Sequence, residues 1–89
     1  MGPIERVAVI GAGNMGSGIT QKSAQEGFAV QMVDKEDGFV QRGMDTINGF
    51  LDEAIQRRIF SEKKVEEIIS NISVGVGVDS IHEDTDLVI

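Results

Sequence analysis

The sequence predicts an α/β fold, a partial doubly wound parallel sheet of strand order 3-2-1-4 with a helical hairpin after its second strand. Three observations carry this expectation. A short apolar run, Val7-Ala8-Val9-Ile10, stops at a glycine, as a parallel strand buried on both faces does. A glycine-spaced turn follows at once, Gly11-Ala12-Gly13-Asn14-Met15-Gly16. A second apolar run, Phe28 to Val33, then closes on Asp34.

The elements follow in order. Residues 4–10 form the first strand. From Asn14 to Glu26 there is no proline, Ile19 and Ala24 supply an apolar face, and Gly27 is placed to stop a helix. Phe28 to Val33 is the second strand. Val40, Met44, Ile47, Leu51 and Ala54 step by three or four while Arg42, Asp45, Asp52 and Glu53 take the other side, which predicts an amphipathic helix. Gly43 and Gly49 are expected to weaken it by roughly 1 kcal/mol each against alanine. Ser61 caps a shorter helix through Ser70, with Val65, Ile68 and Ile69 inward and Asn71 as its stop. Ile72, Val74, Val76 and Val78 alternate with Ser73, Gly75 and Gly77 and predict a third strand loosened by its glycines. Asp86-Leu87-Val88-Ile89 begins a fourth apolar strand, and its place at the end of the sequence suggests a piece of a larger domain.

Composition excludes several classes of function. Eight Lys and Arg against 15 Asp and Glu give a net charge of -7, which repels nucleic acid and anionic lipid surfaces. Without cysteine there is no disulfide framework or thiolate nucleophile, and one histidine cannot build a nitrogen-rich metal cluster, so no metal is expected. The apolar runs fall far short of the roughly 20 residues that cross a bilayer, and no signal-peptide segment opens the chain. No membrane association and a cytoplasmic location are therefore expected.

The glycine turn carries the chemistry. Gly11, Gly13 and Gly16 fit G-x-G-x-x-G after a strand and before a helix, and Asp34 ends the next strand 18 positions after Gly16. Gly11 permits the tight turn, Gly13 clears the approach of a pyrophosphate, and Gly16 allows close packing of the helix. Phosphates would meet the helix N-terminus, where free N–H groups and about half a positive charge favour an anion. Asp34 accepts hydrogen bonds from the adenosine ribose hydroxyls and repels a 2′-phosphate, so NAD is preferred to NADP, with Lys35 as a partial counter-charge. The candidate cofactor residues are thus Gly11, Ala12, Gly13, Asn14, Met15, Gly16, Asp34 and Lys35. The plainer alternative is a tight strand-to-helix turn with Asp34 capping the next segment. Met15, Met32 and Met44 are read as packing residues.

At these residues the sequence resembles the start of a 3-hydroxyacyl-CoA dehydrogenase, an NAD-dependent family that oxidises the 3-hydroxyl of acyl-CoA thioesters. The likeness rests on VAVIGAGNMGSG at Val7–Gly18 with the helix through Gly27, on the helical hairpin between Asp34 and Ile72, and on Asp86-Leu87-Val88-Ile89. It implies that residues 1–89 are the N-terminal part of an NAD-binding Rossmann domain, that the acyl-CoA is the substrate, and that the catalytic histidine and its glutamate lie beyond residue 89. No catalytic residue is therefore assigned here, the chain alone is expected to be inactive, and any homodimer is expected to form through a C-terminal part outside it. His82 precedes the fourth strand and is read as a solvated loop histidine. Lys22 and Ser23 stand where family members commonly carry larger apolar residues, which predicts looser packing of the first helix. The resemblance places contacts to the adenosine end of coenzyme A in the hairpin, making Arg57 and Arg58 candidates for a 3′-phosphate. An ordinary solvated helix end is the favoured reading of that pair, since Asp52, Glu53 and Glu62 dilute its charge.

Other readings lead elsewhere. A 3-hydroxyisobutyrate-type dehydrogenase has a similar loop, but typically follows its second strand with an Asn-Arg pair where this chain has Asp34-Lys35. A non-catalytic NAD(H)-sensing module would need a second functional surface, which the acidic composition does not offer. A methyltransferase fits the third glycine less well.

Overall fold

Val7, Ala8 and Val9 are all buried in β1 (Arg6–Ile10) because that strand has a neighbour on each edge and cover on each face. The computed structural model describes residues 4–89. After β1 come α1 (Asn14–Gln25), β2 (Ala29–Asp34), α2 (Asp37–Gln56), α3 (Glu62–Ser70), β3 (Ile72–Val76) and β4 (Leu87–Val88), with a turn of 3-10 helix at Val78–Ser80. The four strands form one parallel sheet in the order β3-β2-β1-β4, as the sequence predicts. β1 runs beside β2 from Arg6↔Ala29 to Ile10↔Val33, and β2 beside β3 from Val30↔Ile72 to Asp34↔Val76. β4 is short, but its ladder extends from Asp86 N–H on Arg6 O to Ile10 N–H on Ile89 O.

Right-handed connections after β1 and β2 both carry the chain toward β3, so all three helices fall on one face of the sheet. Val7, Val9, Val30 and Met32 meet Ala24, Ile47, Leu51, Val65 and Ile68 in a single apolar cluster there. α2 begins at Asp37, three residues before its first apolar step at Val40, and its inner stripe of Val40, Gly43, Ile47, Leu51 and Ala54 is buried. Ser61 caps α3 as expected, its Oγ accepting from Lys64 N–H at 3.1 Å. Gly27 stops α1 at φ +100, and Asn71 ends α3 while its Nδ2 donates to Ala24 O at 3.1 Å, tying the two helix ends together.

The inner face of α1 differs from the expected one. Its buried residues are Ser17, Thr20 and Ala24, while Ile19 is only half-buried at the margin of the cluster. Small side chains rather than large apolar ones set how closely α1 lies on the sheet. Lys22 faces solvent and pairs with Glu26 at 3.1 Å, so it takes nothing from the core and the predicted looser packing does not arise at that position.

β3 also departs from expectation, ending at Val76 instead of Val78. Gly77 adopts φ +81 and turns the chain into the 3-10 segment; Val74 and Val76 stay exposed on this edge strand, and Val78 is exposed in the 3-10 turn. The segment that follows folds over the face opposite the helices. Buried Gln31 anchors it, with Nε2 donating to Ser80 O at 2.8 Å and Oε1 accepting from His82 N–H at 3.0 Å. A methyl at Gly75 would approach Gln31 Nε2 to 2.8 Å and strike the Ser80 hydroxyl, so the anchor would have to shift to accept one.

Candidate functional site

The carboxyl ends of β1 and β2 lie side by side, and the turn out of β1 is fixed from three directions. Gly11 has φ +108, a conformation that L side chains rarely adopt, and its N–H donates to Val33 O at 2.7 Å. A methyl on Gly16 would overlap the Gly11 carbonyl, so the third glycine of the motif makes room for the turn itself. The third restraint is Asp34. Its Oδ2 accepts from Ala12 N–H at 2.9 Å, and its Oδ1 accepts from Lys35 N–H at 2.7 Å. These two backbone bonds, that from Ala12 foremost, hold the carboxyl below its ordinary pKa, and at neutral pH it is ionised. An ionised carboxylate has about four acceptor positions, so two are left for further donors.

Gly13 is the N-cap of α1, in extended conformation and with no side-chain bond across the helix end. The first amides of α1 therefore keep the unsatisfied donors of a helix start, with no acidic residue in the first turn to compete for them. A Cβ at Gly13 would meet nothing within 4 Å, so the space beside the turn is open where a phosphate group would have to approach. An anion-binding helix start, open space at Gly13 and a half-buried carboxylate with spare acceptors fit the pyrophosphate and adenosine ribose of a dinucleotide.

Met15 is 80% exposed and touches none of the core, which corrects its reading as a packing residue, whereas Met32 is buried and Met44 packs on the cluster. Lys35 is exposed, and its Nζ lies 5.8 Å from the centre of the Phe39 ring. Arg42 approaches the same ring at 5.5 Å. The sequence reading placed neither Phe39 nor Arg42 at the site and took Gly43 for a weakness in the helix. In the structure Gly43 is buried where α2 meets the turn, and a methyl on it would come within 2.8 Å of Ala12 O and 2.9 Å of Ala12 Cβ and Met32 Cε. The signal was present in the spacing of Phe39, Arg42, Gly43 and Thr46, which share one side of a helix, but no periodicity says which loop that side meets.

The structure does not bring Arg57 and Arg58 to this site. From Gly43 to Arg57 is about 20 Å along the helix axis. Arg57 closes α2 and pairs with Glu53 at 2.7 Å, which agrees with a solvated helix end, and Arg58 sits in the turn at φ +60. His82 is exposed in the segment that covers the opposite face, where the sequence placed it. Among the described residues there is no cluster of potential metal ligands, and no helix is long and apolar enough to cross a membrane.

The sequence matches, over residues 6–89, the family described as 3-hydroxyacyl-CoA dehydrogenase, NAD binding domain. Among similar proteins, the 3-hydroxybutyryl-CoA dehydrogenase of Bradyrhizobium diazoefficiens is 37% identical over 97% of this chain and 29% of its own length. The fatty acid oxidation complex subunit alpha of Colwellia psychrerythraea is 34% identical over 97% of this chain and 12% of its own. The crystal structure of (S)-3-hydroxybutyryl-CoA dehydrogenase from Ralstonia eutropha superposes with a TM-score of 0.90 at 35% identity, covering 97% of this chain and 30% of that one. The chain thus spans less than a third of the length of each of these relatives.

Two outcomes follow from this geometry. Gly43→Ala lowers stability by about 1–3 kcal/mol through the forced displacement of Ala12 and Met32, whereas Gly49→Ala, with open space around it, raises it by about 1 kcal/mol. Urea unfolding of the two variants checks this, and a gain at both positions would contradict the contact. The second outcome concerns acid. Asp34 is lowered as described, and Asp86 is lowered by bonds from the Glu5 and Arg6 amides. Folded pKa values below the unfolded ones make these contributions complete above the ordinary value of 3.8 and lost as pH falls through the lowered folded values. Unfolding free energy measured from about pH 6 to about pH 3 should hold and then fall below about pH 4, and a stability that rises in that acid range would contradict both assignments.

Proposed function

Because this chain belongs to the family described as 3-hydroxyacyl-CoA dehydrogenase, NAD binding domain, we propose that it holds the dinucleotide for an enzyme interconverting 3-hydroxyacyl-CoA and 3-oxoacyl-CoA. The observation that carries the site is the Asp34 carboxylate, ionised, fixed by Ala12 and Lys35 N–H, and left with acceptors for a ribose diol. Asn14, Met15 and Gly16 at the start of α1 take the pyrophosphate, with Gly13 giving it access. The fixed negative charge at the ribose end disfavours a 2′-phosphate, which makes the reading one of NAD and not NADP.

The bound nicotinamide supplies a hydride acceptor. The residues of this chain bind and orient in this reading, and its single histidine, His82, lies away from the turn on the covering segment. A base outside residues 1–89 takes the proton of the 3-hydroxyl as hydride leaves the same carbon, and the acyl-CoA is held largely by that further chain. The domain by itself is inactive in this reading, and dimer formation belongs to the same outside part.

Calorimetric titration with NADH and NADPH tests the proposal. The chain should bind NADH in preference to NADPH, and Asp34→Ala should weaken NADH by roughly 10- to 100-fold, the size of a lost hydrogen bond to a charged acceptor, while narrowing the gap to NADPH. A folded chain that prefers NADPH, or whose NADH affinity is untouched by the substitution, would overturn it.

A further inference from the structure

The dinucleotide reading leaves one feature unused. A pocket of about 270 Å³ opens between α2 and the glycine turn, lined by Ala12, Gly13, Asn14, Phe39, Arg42 and Thr46. Its one charged side chain is Arg42. The guanidinium lies over the Phe39 ring at 5.5 Å, one helical turn away along α2, and makes no ion pair among the described residues. Thr46 donates its hydroxyl back to Arg42 O at 2.9 Å, so it offers no competing donor to the pocket. Asp34, the carboxylate of the site, accepts from two amides and forms no ion pair with Arg42.

We propose that Arg42 is a phosphate-binding residue, reaching from α2 across this pocket to a nucleotide phosphate held at the start of α1. The inference rests on the dinucleotide reading and adds to it a contact from outside the glycine motif. Several features of the pocket favour an anion. It is flanked by Gly13 and Asn14, the cap and first residue of a helix whose start has no side-chain cap bond and no acidic residue in its first turn. Arginine presents a planar fork of donors that matches phosphate oxygens, and stacking on Phe39 restricts the side chain before a ligand arrives. In a chain of net charge -7, an arginine that has no carboxylate partner among the described residues and stands beside a helix start supplies local positive potential. Two ligands carry the required group, the pyrophosphate of the dinucleotide and a phosphate of coenzyme A, and the position beside Gly13 favours the first.

The experiment compares wild type, Arg42→Gln and Arg42→Lys by titration with NADH, adenosine and coenzyme A, at low and high salt. Loss of a charged contact to phosphate should weaken NADH about tenfold in Arg42→Gln, leave adenosine unchanged, reduce the salt dependence of binding, and be partly restored in Arg42→Lys. Weakening of coenzyme A instead of NADH keeps Arg42 as a phosphate residue and transfers it to the other nucleotide. Wild-type binding of NADH with no change for either nucleotide in Arg42→Gln overturns the inference while leaving the dinucleotide reading standing. A wild-type chain that binds neither nucleotide overturns both. Because Arg42 is exposed and makes no ion pair among the described residues, thermal unfolding of the unliganded variants provides the control: a fall in Tm that accounts for the lost binding would also overturn the inference.

Discussion

The bond from Ala12 N–H to the Asp34 carboxylate joins the two halves of the site. Ala12 belongs to the turn that leaves β1, and Asp34 to the last residue of β2, so this contact at 2.9 Å fixes the turn to the neighbouring strand end. Gly11 N–H on Val33 O makes a second bond across the same gap. With both in place the start of α1 has one orientation relative to the carboxylate, and a ligand spanning the two meets a prearranged surface. Preorganisation of this kind reduces the ordering that binding must otherwise pay for. The same bond is the largest cause of the lowered carboxyl pKa, so it sets both the geometry and the electrostatics of this group.

Small residues make the arrangement possible on the side away from the ligand. Gly43 lets α2 sit against Ala12, and Ser17, Thr20 and Ala24 let α1 sit on the sheet. The helices in turn bury Val30 and Met32 on the strand that ends at Asp34. Packing density thus reaches the site through a few close approaches, and methyl-sized changes at Gly43 or Gly16 act directly on the turn. On the opposite face Gln31 holds the segment leading to β4, which brings Leu87 and Val88 beside β1.

Much of this was legible in the residues, and for identifiable reasons. The apolar runs at Val7–Ile10 and Phe28–Val33 fix two buried strands, Gly11 and Gly27 mark positive φ, and Ser61 marks a cap, because each depends on chemistry within a few residues. Strand order followed from the motif between β1 and β2 and the connection rules of parallel sheets. What escaped was long-range. Gly43 reads as a weak point of its helix until Ala12 is placed beside it, Ser17 and Thr20 carry no apolar signal until α1 lies on the sheet, and Arg42 reads as part of an outer face until the glycine turn comes up against it. The alternation from Ile72 to Val78 misled because Gly77 turns the chain, a choice set by the Gln31 anchor and not by local pattern.

The most direct test of the account is an NMR titration that follows the Asp34 carboxyl and the Ala12 amide together. The carboxyl should titrate below its ordinary value of 3.8 and the Ala12 amide shift should follow the same curve, because one bond couples them. An Asp34 carboxyl that titrates at the ordinary value while the Ala12 amide stays silent would contradict the claim that this carboxylate holds the turn.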